Sequence, residues 1–454
     1  MKRIISVLIS IILFTTAYAE DVVQIAPTNV QKNTTALINV NLSNSSFDVA
    51  NLQFDLLLPT GVELTGNKKF TNRVPRTFDD FSETYEYDFS YQTNVQSSGY
   101  TRFMFIPGGE LRPIPSGQGS ILQLQIKTSN TIALGIYPVL MTNIKLVKTE
   151  TESISIPSAV SYIVISEDGI TSPLSSEATI DLSSMTGYMP SFVVDELNTA
   201  IASNTNLKTL NLSGVTELGG DLNVPEGTFW YTANAAKLNR TFTKDAKSTI
   251  CLPFEIKSSV ASSLGKFYQF DGISDGKVVM RETTGDLTAN IPYIYEPSSA
   301  QAGIGVTETT ISFSDNPVTS NADAKYTFKG TFEPITWANP VGIYGFAKAG
   351  VDGFDPGQFV RGGAGASIAP YRAYLEYTGD GKLSAARTRG GDELPASMGI
   401  IYIDSYGNTT TVDSAVSVVT EQTDRWYGID GTNFGDKPTR KGIYINNGKK
   451  VVIK

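Results

Sequence analysis

The chain has 454 residues, 41% of them hydrophobic and 18% charged, with 40 glycines, 21 prolines and a formal net charge of −9. That balance supplies material for a packed core and excludes wholesale disorder and a collagen-like fibre. Histidine is absent altogether, which removes Ser-His-Asp and Cys-His triads, HExxH zinc sites and histidine general bases. An acidic chain without a basic stripe is repelled by phosphate backbones, so no nucleic-acid partner is expected. The one cysteine, Cys251, permits no intrachain disulfide.

The first residues carry the signs of an export leader. Lys2 and Arg3 precede an apolar run over residues 4–14, and Ala17-Tyr18-Ala19 puts small residues where a signal peptidase reads, so cleavage between Ala19 and Glu20 is expected. The run is too short to anchor in a bilayer, no later stretch is long enough to span one, and no cysteine near the cleavage point offers a lipid anchor. These features predict an exported protein without a transmembrane span, at the cell surface or extracellular.

Residues 20–166 form the first predicted unit. Alternating runs over 35–42, 49–58 and 119–128, with two shorter ones over 135–147, are punctuated by Gly, Pro and Asn, the pattern of a β-sandwich. In Tyr85-Glu86-Tyr87-Asp88-Phe89-Ser90-Tyr91 every second residue is aromatic, so on a strand the rings share one face and Glu86, Asp88 and Ser90 the other. Two readings stay open. The aromatic face packs into the core and leaves the acidic face wet, which suits the area such rings bury and takes precedence. Otherwise the face is wet, and Tyr85, Tyr87 and Tyr91 are a stacking platform for sugar rings. Asp79, Asp80, Glu83, Glu86 and Asp88 cluster nearby; they are expected to be a solvated face, with a carboxylate-based glycosidase as the minor alternative.

The run 36–43 (ALINVNLS) followed by 49–62 (VANLQFDLLLPTGV) resembles the opening strands of cohesin domains, and 121–127 (ILQLQIK) with 135–144 (GIYPVLMTNI) resembles their closing strands. The resemblance implies a nine-stranded jelly-roll sandwich that binds a dockerin and shares its architecture with carbohydrate-binding modules. The chain holds no DxDxDG calcium repeat of its own.

Residues 172–230 read as a connector. The best helix candidate covers residues 192–202, with Phe192, Val193, Leu197 and Ile201 on one side. Leu207-Lys208-Thr209-Leu210-Asn211-Leu212 follows as a single leucine-rich-repeat turn, which cannot bury its own face and is expected to be capped by neighbours.

Residues 231–420 return to β, with Asp-Gly hairpin turns at 271–272, 275–276 and 380–381. Cys251 lies in the apolar strand-like run 249–254, the place of an inert buried thiol. Gly272-Ile273-Ser274-Asp275-Gly276 is a literal GxSxG, but with no histidine and a strand after it the expected structure is a hairpin loop. The glycine-rich run 361–367 lacks a P-loop lysine and a following helix, so it is expected to be a loop. Asp352 and Asp355 are candidate calcium ligands; no other cofactor is implied. The succession CLPF (251–254), IPYIY (291–295) and PYRAYL (370–375) resembles a module of surface proteins from gut and oral Gram-negative anaerobes, which often carry leucine-rich repeats. Asp413-Ser414-Ala415 resembles an O-glycosylation site of such bacteria, with Ser414 as the acceptor.

Residues 421–454 close the chain. Trp426-Tyr427-Gly428-Ile429-Asp430-Gly431, then residues 438–445 (PTRKGIYI), then 448–454 (GKKVVIK), resemble a C-terminal sorting domain of type IX secretion. The resemblance implies handling by secretion machinery and display at the outer-membrane exterior or release. The whole is expected to be all-β: a cohesin-like jelly-roll sandwich, a short leucine-rich α/β connector, a second β-rich module and a C-terminal hairpin. The preferred function is non-enzymatic binding at the cell surface, in adhesion or scaffolding, with a surface protein or an extracellular glycan as partner. The alternative is capture of an extracellular glycan.

Overall fold

The computed structural model describes residues 21–45, 47–108, 112–148, 152–320, 325–348, 354–379, 394–413, 426–428, 439–446 and 449–453. The leader with Ala19 and Glu20, together with Asp352, Ser414 and the 380–381 turn, lies outside these residues. The fold is all-β: among the described residues only Ser191–Ile201 and Ser258–Leu264 are α-helical.

The first unit is a sandwich. One sheet runs in the order Val22–Ile25, Thr35–Asn44, Gly117–Thr128, Val62–Phe70, antiparallel throughout. The facing sheet contains Phe89–Val95, Thr101–Pro107, Asn51–Leu57, Gly135–Val147 and Ala159–Ser166 in that order. Alternation fixes which side faces inward: Ile38, Val40 and Leu42 from one sheet meet Phe54, Phe103 and Phe105 from the other. Phe54 stacks on Phe103 with centroids 4.9 Å apart.

The strand Ala159–Ser166 is buried at every position. Ile163 and Ile165 enter the sandwich core, while Val160, Tyr162 and Val164 enter a second core on the opposite face. A strand covered on both sides needs the unbroken apolar run that this one has. The second core belongs to the leucine-rich unit, which is larger than the single turn expected. Thr179–Asp181, Thr209–Leu212 and Thr228–Thr232 pair in parallel as three rungs, and Gly187–Met189 pairs in parallel with Val215–Leu218. The physical reason is a repeat thirty residues long: residues 179–186 (TIDLSSMT) return as 209–216 (TLNLSGVT). Asp181 and Asn211 make the same turn in each copy, accepting from the N–H of Ser183 and Ser213 at 2.9 Å, and Asn211 donates to Asp181 at 3.0 Å. The helix Ser191–Ile201 closes this core with Val193, Val194, Leu197 and Ile201.

The rungs continue into the second β module through Ala235–Asn239 and Ile304–Thr307. Two six-stranded sheets follow. One includes Ser248–Cys251, Gly265–Ser274, Lys277–Thr283 and Ile400–Ile403; the other includes Tyr326–Thr331, Ile343–Phe346 and Arg372–Tyr377. They share a core of Phe270, Phe328, Tyr344, Phe359, Leu375 and Ile400. The GxSxG segment turns the hairpin between Gly265–Ser274 and Lys277–Thr283, with Asp275 and Gly276 both at positive φ. At the C-terminus Trp426–Gly428, Gly442–Asn446 and Lys449–Ile453 make a three-stranded antiparallel sheet.

Candidate binding surface

The 85–91 aromatic run is divided between two elements. Thr84–Tyr87 pairs with Arg76–Asp79 in a separate hairpin, and Phe89–Val95 is the edge strand of the sandwich. The break falls at Asp88. Its carboxylate is buried, accepting from Arg112 Nε at 2.7 Å, Arg112 Nη2 at 3.0 Å and Thr77 Oγ1 at 2.6 Å. Burial alone would raise its pKa; the bonds from Arg112 and Thr77 outweigh burial and hold it below the usual carboxylate range. The expectation of a wet acidic face therefore fails at Asp88, whose carboxylate is drawn inward by its bonds to Thr77 and the half-exposed Arg112.

Tyr87 and Tyr91 turn inward. Both rings pack on Phe70, with centroids 5.4 and 5.5 Å away, and their hydroxyls donate to the backbone carbonyls of Phe70 (2.9 Å) and Lys68 (3.2 Å). Phe89 is buried between them in the chain. Tyr85 alone of the three tyrosines is mainly exposed, at 63%. Tyr85, Tyr87 and Tyr91 therefore do not form a common exposed face, and the sugar-platform reading of that set is corrected: the sandwich edge needs two of the rings to close over Phe70.

The exposed aromatic surface lies further out on the hairpin. Phe81 at its tip is 98% exposed and Phe78 is 45% exposed. Phe78 sits directly across from Tyr85, their rings T-shaped with centroids 5.2 Å apart and planes at 61°. The Arg76 guanidinium lies 5.5 Å from the Tyr85 ring and 5.8 Å from that of Tyr87, bridging the outward ring to the anchored one. Glu83 takes a left-handed φ of 55° to make the turn, and Asp79 Oδ1 accepts the Phe81 N–H at 3.0 Å, ordering the tip. Aromatic side chains are thus presented on a rigid base, beside Asp79, Asp80, Glu83 and Glu86. The signal that reaches Phe78 and Phe81 from sequence is their place in an otherwise polar, acidic stretch.

Among the described residues, each carboxylate with a displaced pKa is displaced downward: Asp55, Asp79, Asp88, Asp168, Asp286 and Asp404. A general acid of a glycosidase requires the opposite. Cys251 is buried, and burial pushes its thiol up, away from the thiolate. Asp355 is exposed, and among the described residues no three Asp, Glu or Cys side chains gather as a metal site. A cleft of about 1280 Å³ runs beside the strand Ile304–Thr307 and the helix Ser258–Leu264. Its Lys257 is exposed, pairing with Glu255 and with Asp286 at 3.2 Å.

Neither a protein-family model nor a curated protein matches the sequence. Among solved structures, the seventh ScaB type I cohesin from Pseudobacteroides cellulosolvens is similar to 32% of this chain over 90% of its own length, at 19% identity and a TM-score of 0.25. CaCohA2 from Clostridium acetobutylicum matches 32% of this chain over 89% of its own, at 13% identity and a TM-score of 0.26. A non-cellulosomal cohesin from the archaeon Archaeoglobus fulgidus matches 32% over 92%, at 11% identity and a TM-score of 0.23.

Proposed function

We propose that this chain is an exported, non-enzymatic binding protein whose N-terminal sandwich engages a protein partner through the hairpin at residues 76–87. The observation that carries the reading is the set Phe78, Phe81 and Tyr85, held outward on a base locked by Asp88, Arg112 and Tyr87. Outward aromatic anchors on a preorganised element are what a protein interface uses at its centre. A pyranose ring would want coplanar faces, and Phe78 and Tyr85 stand at 61° to each other, so glycan capture is the weaker reading. The export leader and the tail resembling a sorting domain support display on the cell exterior, where adhesion or scaffolding is the role.

The test is a titration of immobilised wild-type chain and of the triple variant F78A/F81A/Y85A with surface proteins of the producing cell, beside a glycan array. Wild type is expected to retain a protein ligand saturably, and the variant to lose about 30-fold or more in affinity with an unchanged Tm. Equal binding by both chains, ligands found only among the glycans, or steady turnover of any array compound contradicts the reading.

A further inference from the structure

We propose that Arg240 and Arg372 form a binding site for one oxyanion of the phosphate or sulfate class, at the junction of the leucine-rich rungs and the second β module. Arg240 is 5% exposed. Its Nη1 donates to the Thr249 carbonyl at 2.9 Å, and its guanidinium lies 4.9 Å from the Phe242 ring centroid. Its Nη2 is buried and finds no acceptor among the described residues. Arg372 is half-buried, and its strand is tied to the residue that holds Arg240. The Thr249 hydroxyl, on the residue that holds Arg240, accepts the Ala373 N–H at 3.1 Å. The preceding residue, Tyr371, takes a left-handed φ of 59°, and its hydroxyl bonds Thr209 of the middle rung at 2.6 Å. The backbone of PYRAYL is thereby tied to the strand that holds Arg240, and the charge of Arg372 is felt at Arg240.

Two guanidinium groups so placed should each have an anionic partner, and neither forms an ion pair among the described residues. The carboxylate whose field reaches both is that of Glu226. Its oxygens are occupied by the Thr241 N–H at 2.8 Å and the Thr241 hydroxyl at 3.1 Å. Burial first, and then the positive charge of Arg372, lower the Arg240 pKa to about 9. A buried cation beside a like charge is costly until an anion accepts from both. A tetrahedral oxyanion offers several acceptors and matches the planar fork of arginine. Arg372, the more exposed of the two, marks the side from which it enters.

Calorimetric titration of the full chain with inorganic phosphate and with sulfate, at constant ionic strength set by chloride, tests this site. One saturable binding event is expected, with a saturable rise in Tm of about 2–4 °C; the R372Q and R240K variants are expected to lose at least about tenfold in affinity. R281Q, which alters an exposed arginine paired with Asp271, is expected to bind like wild type. Glycerol phosphate binding as well as phosphate assigns the site to a pendant group on a larger molecule; phosphate alone assigns it to the free ion. The absence of saturable heat from wild type up to about 10 mM, or equal affinity in folded R372Q, overturns the proposal. Sulfate also stabilises proteins generally by exclusion from their surface, so a linear, non-saturating rise in Tm shared by R372Q counts against it. None of these outcomes bears on the hairpin at 76–87.

Discussion

Two tyrosines on one short strand, Tyr85 and Tyr87, carry the division between surface and core. Tyr87 packs on Phe70 and spends its hydroxyl on a backbone carbonyl; Tyr85, mainly exposed, rests on Phe78 and Arg76. Tyr87→Ala is therefore expected to cost about 2–3 kcal/mol, Tyr87→Phe about 1 kcal/mol, and Tyr85→Ala less than about 0.5 kcal/mol. Urea midpoints measure all three; equal losses at positions 85 and 87 would place both rings in the same environment. Charge works at the same scale. Arg102 holds Asp55 through two bonds of 2.7 Å, Asn143 adds a third at 3.2 Å, and the Asp55 pKa is lowered chiefly by the Arg102 bond. A carboxylate whose folded pKa is depressed contributes stability above its unfolded value, near 3.8, and loses it as pH falls through the folded value. Asp55→Asn is expected to cost about 1–3 kcal/mol at pH 7 and to flatten the acid limb of stability below pH 4. An unchanged acid limb would show that Asp55 does not couple to folding.

At the scale of elements, the leucine-rich unit depends on close stacking of its rungs. A Cβ added at Gly214 would collide with the backbone carbonyls of Ser183 and Met185 in the rung before. Backbone cannot yield as a flexible side chain does, so Gly214→Ala is expected to destabilise by about 1–3 kcal/mol, read as a fall in Tm; a neutral result would mean that the rungs are spaced more widely than described. This unit was the least legible part of the sequence. Its rung strands are three to five residues long, too short for alternation to stand out, and the helix is present in only one copy. The echo of 179–186 in 209–216 is nonetheless legible through Thr, Asp/Asn and Ser, the residues that make each turn. The sandwich strands were legible for the opposite reason: Thr35–Asn44 alternates over ten residues against a one-sided core. The hairpin at 76–87 was not. The chain leaves the edge strand because Asp88 is captured by Arg112, twenty-four positions away, and no local pattern carries that contact.

Over the whole molecule, the modules are joined by shared hydrophobic layers. Ala159–Ser166 serves the sandwich with one face and the leucine-rich unit with the other. Phe229 of the last rung packs against Phe254 and Tyr371 of the second module. Such continuity was hidden in the sequence because partner strands lie far apart; Lys277–Thr283, for instance, pairs in parallel with Ile400–Ile403. A histidine-free stack of sheets carrying an exposed aromatic hairpin underlies the proposed role of holding a protein partner. Replacing Phe81 by a photo-reactive benzophenone amino acid, and irradiating intact cells, tests that account most directly. It predicts one discrete protein adduct at position 81, and none from the same substitution at Tyr406, which is 90% exposed but stands apart from the hairpin. Equal adducts from both positions, or a chain retained in the cytosol and forming none at position 81, would contradict it.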